Sequence, residues 1–436
     1  MSSVVDSRAW LAAWSITELL SAVLAQLILT PMLLHRLDAH NFSAWVIVQS
    51  MLLAAPLLSM GTGTALLAVA ANARDHSTGS AIGVGLGLLF QRTTAVTLSL
   101  IGALCAVWAA AWFSGHFFSR TLIELWMLCV ASSLLVAVTE VDSGLSCALK
   151  AHDRFVAPAG LEIAARATQV VLIFWLVPLQ GSVLAAVAIC VGILIIKAGV
   201  KMALLRGLEV KYLPAKSYVG SQDAFAIASI TLNGRWICLG VLSGLCLNAF
   251  DRWIVGAQFG AAVLSAYAIC TQIAQLPHAV AAAAAQVLTP WAAVRVSHLD
   301  DLAERRQILR VFGLATTAAA IPSCALFVSL ETVLVWWISP GFSAENLNLA
   351  RSLTVAFALL TLNVPAYFLL LGLGHSRMVT IINMVAAVIF ATASTAFDLA
   401  MPIFVVLKGI CFGLTLGINV YLFLLLSGNR PMRRMA

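Results

Sequence analysis

Charge is what this chain lacks most. Only 10% of its 436 residues are Asp, Glu, Lys or Arg, whereas a soluble domain carries about 25%. That deficit excludes a soluble globule and a disordered tail, and the 62% hydrophobic content agrees. Other absences exclude chemistry. The nine Cys lie singly in apolar runs with no CxxC, so neither a zinc knuckle nor a redox pair is expected. The eight His form no HExxH pattern. No GxxxxGK[ST] occurs either, which removes the phosphate loop of an ATP-driven machine. No Ser/His/Asp constellation or paired-carboxylate pocket is legible. The expectation is a protein that is not an enzyme and has no cofactor or metal.

What the chain does have is a series of long apolar runs. With a mean hydropathy of +1.00, it reads as an all-α polytopic membrane protein. Breaks at charged and Gly/Pro clusters predict twelve spans, near 10–34, 44–70, 90–113, 122–145, 156–178, 182–205, 225–249, 262–289, 309–337, 350–372, 378–397 and 402–427. Twelve spans of about 22 residues leave roughly a dozen residues per connection, too few for a separate soluble domain. The first run follows Asp6 and Arg8 and reaches Leu34. It is too long for a signal-peptide core and reads as an uncleaved span.

Of the 25 Lys and Arg, only Arg36, Arg120, Arg252 and Arg351 fall in connections on one side. Arg235 and Lys408 fall inside spans, and the rest share the other side. The positive-inside rule then puts both termini in the cytoplasm. The net charge of +7 reflects this sidedness and does not point to nucleic acid. Trp45, Trp126, Trp175, Trp253 and Trp336 fall at outer span ends, as an interfacial belt requires, while Trp236 lies deep in span seven. The charged stretch from Arg206 to Asp223 separates two six-helix lobes, 1–215 and 216–436. Arg36 and Arg252, and the His-x-Arg triplets at 152–154 and 375–377, repeat at similar offsets. That suggests two parallel repeats.

Ionisable residues inside a bilayer usually face a wet cavity or the bundle interior. Arg235 lies roughly 15 Å of helix rise into span seven, beside the polar or small stripe Ser229, Asn233, Trp236, Gly240 and Ser243. It reads as a cavity wall that meets an anion, or alternatively as a structural Arg bonded to carbonyls. Glu18 holds the matching place in span one. The two are expected to line a space between the lobes and to pair when it is empty. Lys408 in span twelve is either a substrate contact or a side chain that snorkels outward. Glu18, Glu331 and His278 are candidates to carry a coupling proton, with a satisfied buried imidazole as the other reading of His278. Glu140, Asp142 and Glu162 lie nearer span ends, where water can reach them.

Short segments in order along the chain resemble one family. Leu29-Thr30-Pro31-Met32-Leu33-Leu34-His35-Arg36-Leu37 and Phe42-Ser43-Ala44-Trp45 are similar to the opening of bacterial polysaccharide flippases. These proteins belong to the multidrug/oligosaccharidyl-lipid/polysaccharide exporter superfamily and include flippases for O-antigen, a part of lipopolysaccharide. Leu58 to Leu66, Phe250-Asp251-Arg252-Trp253-Ile254-Val255-Gly256, Ala266-Tyr267-Ala268 and Phe368 to Arg377 look like further family segments. His40-Asn41 departs, since the family more often has an acidic residue there. The resemblance implies twelve helices in two lobes around a central cavity, working by alternating access. It implies a flippase that moves a polyprenyl-pyrophosphate-linked oligosaccharide to the outer leaflet for surface polysaccharide synthesis. Arg235 and Lys408 would meet the pyrophosphate, and Trp236, Asn233 and Gln26 the sugar. The implied partners are the lipid-linked oligosaccharide, a coupling proton or sodium ion, membrane lipids and components of a polysaccharide polymerase. Two alternatives stand beside it: a cation- or proton-coupled drug exporter of the same superfamily, and a non-transporting scaffold of a polysaccharide synthase complex.

Overall fold

The computed structural model describes residues 2–52, 122–151, 154, 156–177, 181–207, 236, 239–240, 242–293, 295, 301–338 and 344–428. Several expectations lie outside these residues: span 90–113, most of span 44–70 with the segment Leu58 to Leu66, much of span 225–249 with Ser229, Asn233 and Arg235, and the lobe boundary at 215/216. The described chain is helical throughout. Twelve helices are bounded: α1 Ser2–Arg36, α2 Ala39–Leu52, α3 Leu122–Ala151, α4 Val156–Leu176, α5 Val183–Gly207, α6 Phe250–Ala274, α7 Leu276–Ala285, α8 Leu288–Ala293, α9 Leu302–Trp337, α10 Ala344–Gly372, α11 Ser376–Ala396 and α12 Met401–Gly428. Among the described residues, eight helical stretches are long and apolar enough to cross a membrane.

The exterior is greasy, as a lipid-facing surface must be. Val328 is 86% exposed and Trp336 85%, an arrangement that water would penalise. Trp126, Trp175 and Trp336 are exposed, as a belt requires. Trp45 departs from that expectation and is buried. Trp253 donates its indole N–H to Ser50 Oγ at 2.9 Å, so its polar edge is satisfied inside the protein.

The predicted break between spans seven and eight, at 250–261, is bounded by a turn at Ala249 and a kink at Gly260, though the stretch between them is helical. Helical structure runs from Leu242 with a turn at Ala249, and α6 then continues to Gly260. Gly260 takes φ 83°, ψ 175°, which a residue with a Cβ rarely adopts. Phe250-Asp251-Arg252 reads as a polar boundary in sequence, yet Asp251 is fully buried and its carboxylate accepts the Arg252 backbone N–H at 2.7 Å.

The chain divides into two compact units, Met1–Ser265 and Ala266–Ala436. In the first, α3 packs on α5, α1 on α4, and α4 on α5. In the second, α10 is central and packs on α7, α8, α9 and α12, while α11 packs mainly on α12. Pro31, Pro322 and Pro365 sit inside α1, α9 and α10, where each removes a backbone donor and permits a kink. The α10–α11 turn is closed by Gly374 at φ 86°. The His375 N–H reaches back to the Leu370 carbonyl at 2.9 Å, the longer of the two bonds that cap a helix around a left-handed glycine. Burial at this turn pushes the His375 imidazole below its ordinary value.

Candidate functional site: a charged cavity in the first unit

Four helices bring ionisable side chains to one place. Asp142, Ser146 and Lys150 follow a spacing of four on α3, Glu162 and Arg166 do so on α4, and Lys197 and Lys201 do so on α5. Residues four apart share a helix face, so each helix turns one charged stripe inward. With Glu18 of α1 and Gln49 of α2 all of these except Lys201 surround a cavity of about 300 Å³, at the small end of ligand-binding pockets. Leu135, Ala165, Ile193 and Leu194 give part of its wall an apolar lining.

The charges form a five-membered network and a separate pair. Lys150 Nζ lies 2.9 Å from Glu18 Oε2. Lys197 Nζ lies 2.9 Å from Asp142 Oδ2 and also pairs with Glu162. Arg166 places both Nε and Nη2 at 2.9 Å from Glu162 Oε1. Lys201, 1% exposed, lies deeper and outside the cavity lining; its ammonium is 2.7 Å from Asp142 Oδ1 and donates to Ser146 Oγ at 2.7 Å. Burying such charges is affordable only when they are paired and hydrogen-bonded.

The structure distributes the expected site residues unevenly. Glu18 lines the cavity and is held by Lys150. Gln26, two turns further along α1, donates to Gln49 Oε1 at 3.4 Å, and Gln49 also lines the cavity. Trp236 is half-buried and helical. Lys408 belongs to the second unit and does not snorkel. It is fully buried, with its ammonium 4.9 Å from the Phe357 ring, 5.6 Å from Phe412 and 5.8 Å from Tyr267. It also donates to the Tyr267 hydroxyl at 3.3 Å. His278, on α7, has a buried Nδ1 with no hydrogen-bond partner, and its ring hydrogen-bonds the Leu360 backbone. Glu331 and Arg351 meet at 3.4 Å in an exposed pair.

Sequence reasoning missed most of the cavity's charges. Arg166, Lys197 and Lys201 read as positive residues of the inner boundary, and Glu140, Asp142 and Glu162 as acids near span ends. Instead Lys197, Lys201, Glu140 and Asp142 are buried inside helices. The available signal was the spacing: two Glu/Arg or Lys/Lys pairs four apart, well inside apolar runs, opposite two acids in neighbouring runs.

No protein-family model matches the chain, and no curated protein matches it in sequence. Solved structures do match in fold. The chain is similar to an inward-facing multidrug resistance MATE family transporter of the MOP superfamily, with a TM-score of 0.74 at 10% identity, over 92% of this chain and 94% of that one. An outward-facing MATE family transporter of the same superfamily matches with a TM-score of 0.68 at 13% identity, over 96% and 94%. A MOP superfamily transporter from Pyrococcus furiosus, described as having a binding pocket of reverse polarity that suggests a different function, matches at 0.65 and 13%, over 96% and 93%. The protein is a multi-pass membrane protein with the fold of MOP superfamily transporters.

Proposed function

We propose that the protein is a flippase. It moves a polyprenyl-pyrophosphate-linked oligosaccharide from the inner to the outer leaflet of a bacterial cytoplasmic membrane by alternating access, and so supplies surface polysaccharide synthesis. The observation that carries this reading is the cavity lined by Lys150, Arg166 and Lys197. The three cations are balanced by Glu18, Asp142 and Glu162 in the same lining; they suit a phosphate-bearing headgroup because guanidinium and ammonium groups make short, charge-assisted bonds to phosphate oxygens. Gln26 and Gln49 lie beside them and suit sugar hydroxyls. Arg235, Asn233 and Trp236 of the seventh span are proposed as further headgroup contacts, whereas Lys408, sealed among aromatic rings, is not.

Reconstituted vesicles test the reading with a lipid-linked sugar and a reagent that reaches only the outer leaflet. Lys150→Ala and Arg166→Ala each remove a charge-assisted contact of about 1.5–3 kcal/mol, so translocation should fall roughly ten- to a hundredfold. A protein that exports cationic dyes while leaving lipid-linked sugars in place would be a drug exporter. Survival of polysaccharide synthesis in cells carrying either variant, with no translocation by the wild type, would mark a scaffold. Either result overturns the proposal.

A further inference from the structure

The cavity's cations are already engaged. Glu162 closes the Arg166 fork, since Nε and Nη2 both lie 2.9 Å from its Oε1, and it also pairs with Lys197. A phosphate that came to Arg166 and Lys197 would need the positions that Glu162 fills. We infer that a phosphate-bearing headgroup enters this cavity by displacing Glu162 from Arg166 and Lys197, and that the freed carboxylate takes up one proton from water as it leaves them. The inference rests on the proposed anionic substrate and adds a linkage that the substrate alone does not imply.

Glu162 is singled out among the three cavity acids by what each one holds. Asp142 keeps Lys201, which is 1% exposed and stands outside the cavity lining; moving Asp142 would strand a buried ammonium. Glu18 holds Lys150 alone. Both partners of Glu162 front the cavity, so both can be handed to an incoming anion without stranding a charge. The groups around Glu162 are Glu18 on α1, Asp142, Cys147 and Lys150 on α3, Arg166 on α4, and Cys190, Lys197 and Lys201 on α5; α2 brings the neutral Gln49. Once Arg166 and Lys197 turn to phosphate, the nearest new neighbour of Glu162 is an anion. A carboxylate without its cations, beside a like charge and against an apolar wall, is stable only when protonated.

The test uses full-length protein in nanodiscs with farnesyl pyrophosphate as the probe. Titration calorimetry in two buffers of different ionisation heat counts the protons exchanged on binding. Wild type should take up about one proton per probe bound, and its affinity should rise by up to about tenfold for each unit that pH falls. Glu162→Gln keeps the shape and removes the competing charge. It should bind the probe more tightly than wild type at pH 7.5, with about one proton less taken up, a difference in which the probe's own ionisation cancels. A purely structural Glu162 would show the opposite, with weaker binding and unchanged proton uptake. If the variant does not fold, wild-type proton counting decides. Binding without proton uptake overturns the linkage and leaves the anionic reading intact, whereas no binding of the probe at any pH overturns both.

Discussion

Lys408 shows how far a single residue departs from what its type leads one to expect. A lysine some seven residues from the end of an apolar run ought to reach for the surface, yet this one is wrapped by Tyr267, Phe357 and Phe412 and has no exposed surface. The rings supply cation–π attraction of about 0.5–2 kcal/mol each, and the fit is close. Lys408→Arg keeps the charge but puts a larger planar fork among the three rings. It should destabilise the protein by about 1–3 kcal/mol, read as a lower thermal midpoint in detergent; an unchanged midpoint would mean that the cage is loose. Glu18 gives a second prediction. Glu18→Lys would set two ammonium groups against each other beside the cavity, and translocation should drop at least tenfold with insertion unaffected. Hydropathy could flag both residues as ionisable groups inside apolar runs. It could not supply their partners, because Lys150 lies 132 positions from Glu18 and Tyr267 lies 141 from Lys408.

Helices were more legible than contacts. Spans expected at 156–178, 350–372, 378–397 and 402–427 appear as α4, α10, α11 and α12 with ends shifted by a few residues, since long apolar runs ended by Gly, Pro or charge leave little choice. The kink at Gly260 falls inside the expected break at 250–261, but the helical course from Phe250 to Gly260 and the burial of Asp251 were not legible in the pattern. Packing between elements leaves still less trace. The short helix α8 lies so close to α10 that a Cβ on Gly372 would sit 2.7 Å from that of Ala292 and closer still to the Thr289 carbonyl. Thr289 also donates to the Phe368 carbonyl at 3.1 Å. Gly372→Val must push α8 away, at a cost of about 1–3 kcal/mol. Faster proteolysis around residues 285–293 than in wild type would report it; equal rates would place the clash elsewhere.

At the scale of the molecule, the fold follows from a chain with too little charge to face water and too many apolar runs to be anything but multi-pass. The charge network of the first unit does not follow in the same way. Counting Lys and Arg treats each as an address label for one side of the membrane, and this rule assigned Arg166, Lys197 and Lys201 to a boundary. Whether a cation near a span end faces headgroups or a neighbouring acid depends on how the helices are rotated, which no single-helix pattern contains. The same fold at 10–13% identity shows that lipid-facing patterning tolerates almost any sequence that keeps its polarity.

The length of α9 has a mechanical consequence. Its 36 residues span about 54 Å, against a hydrocarbon core of about 30 Å, and Pro322 interrupts it near the middle. From Pro322 to Leu302 the helix extends about 30 Å, so a 10° change in bend at the proline would swing its capped tip by roughly 5 Å. The helix is thus a lever with a built-in fulcrum, and a spin label beside Leu302 would turn a small rotation inside the bilayer into a displacement large enough to measure in water.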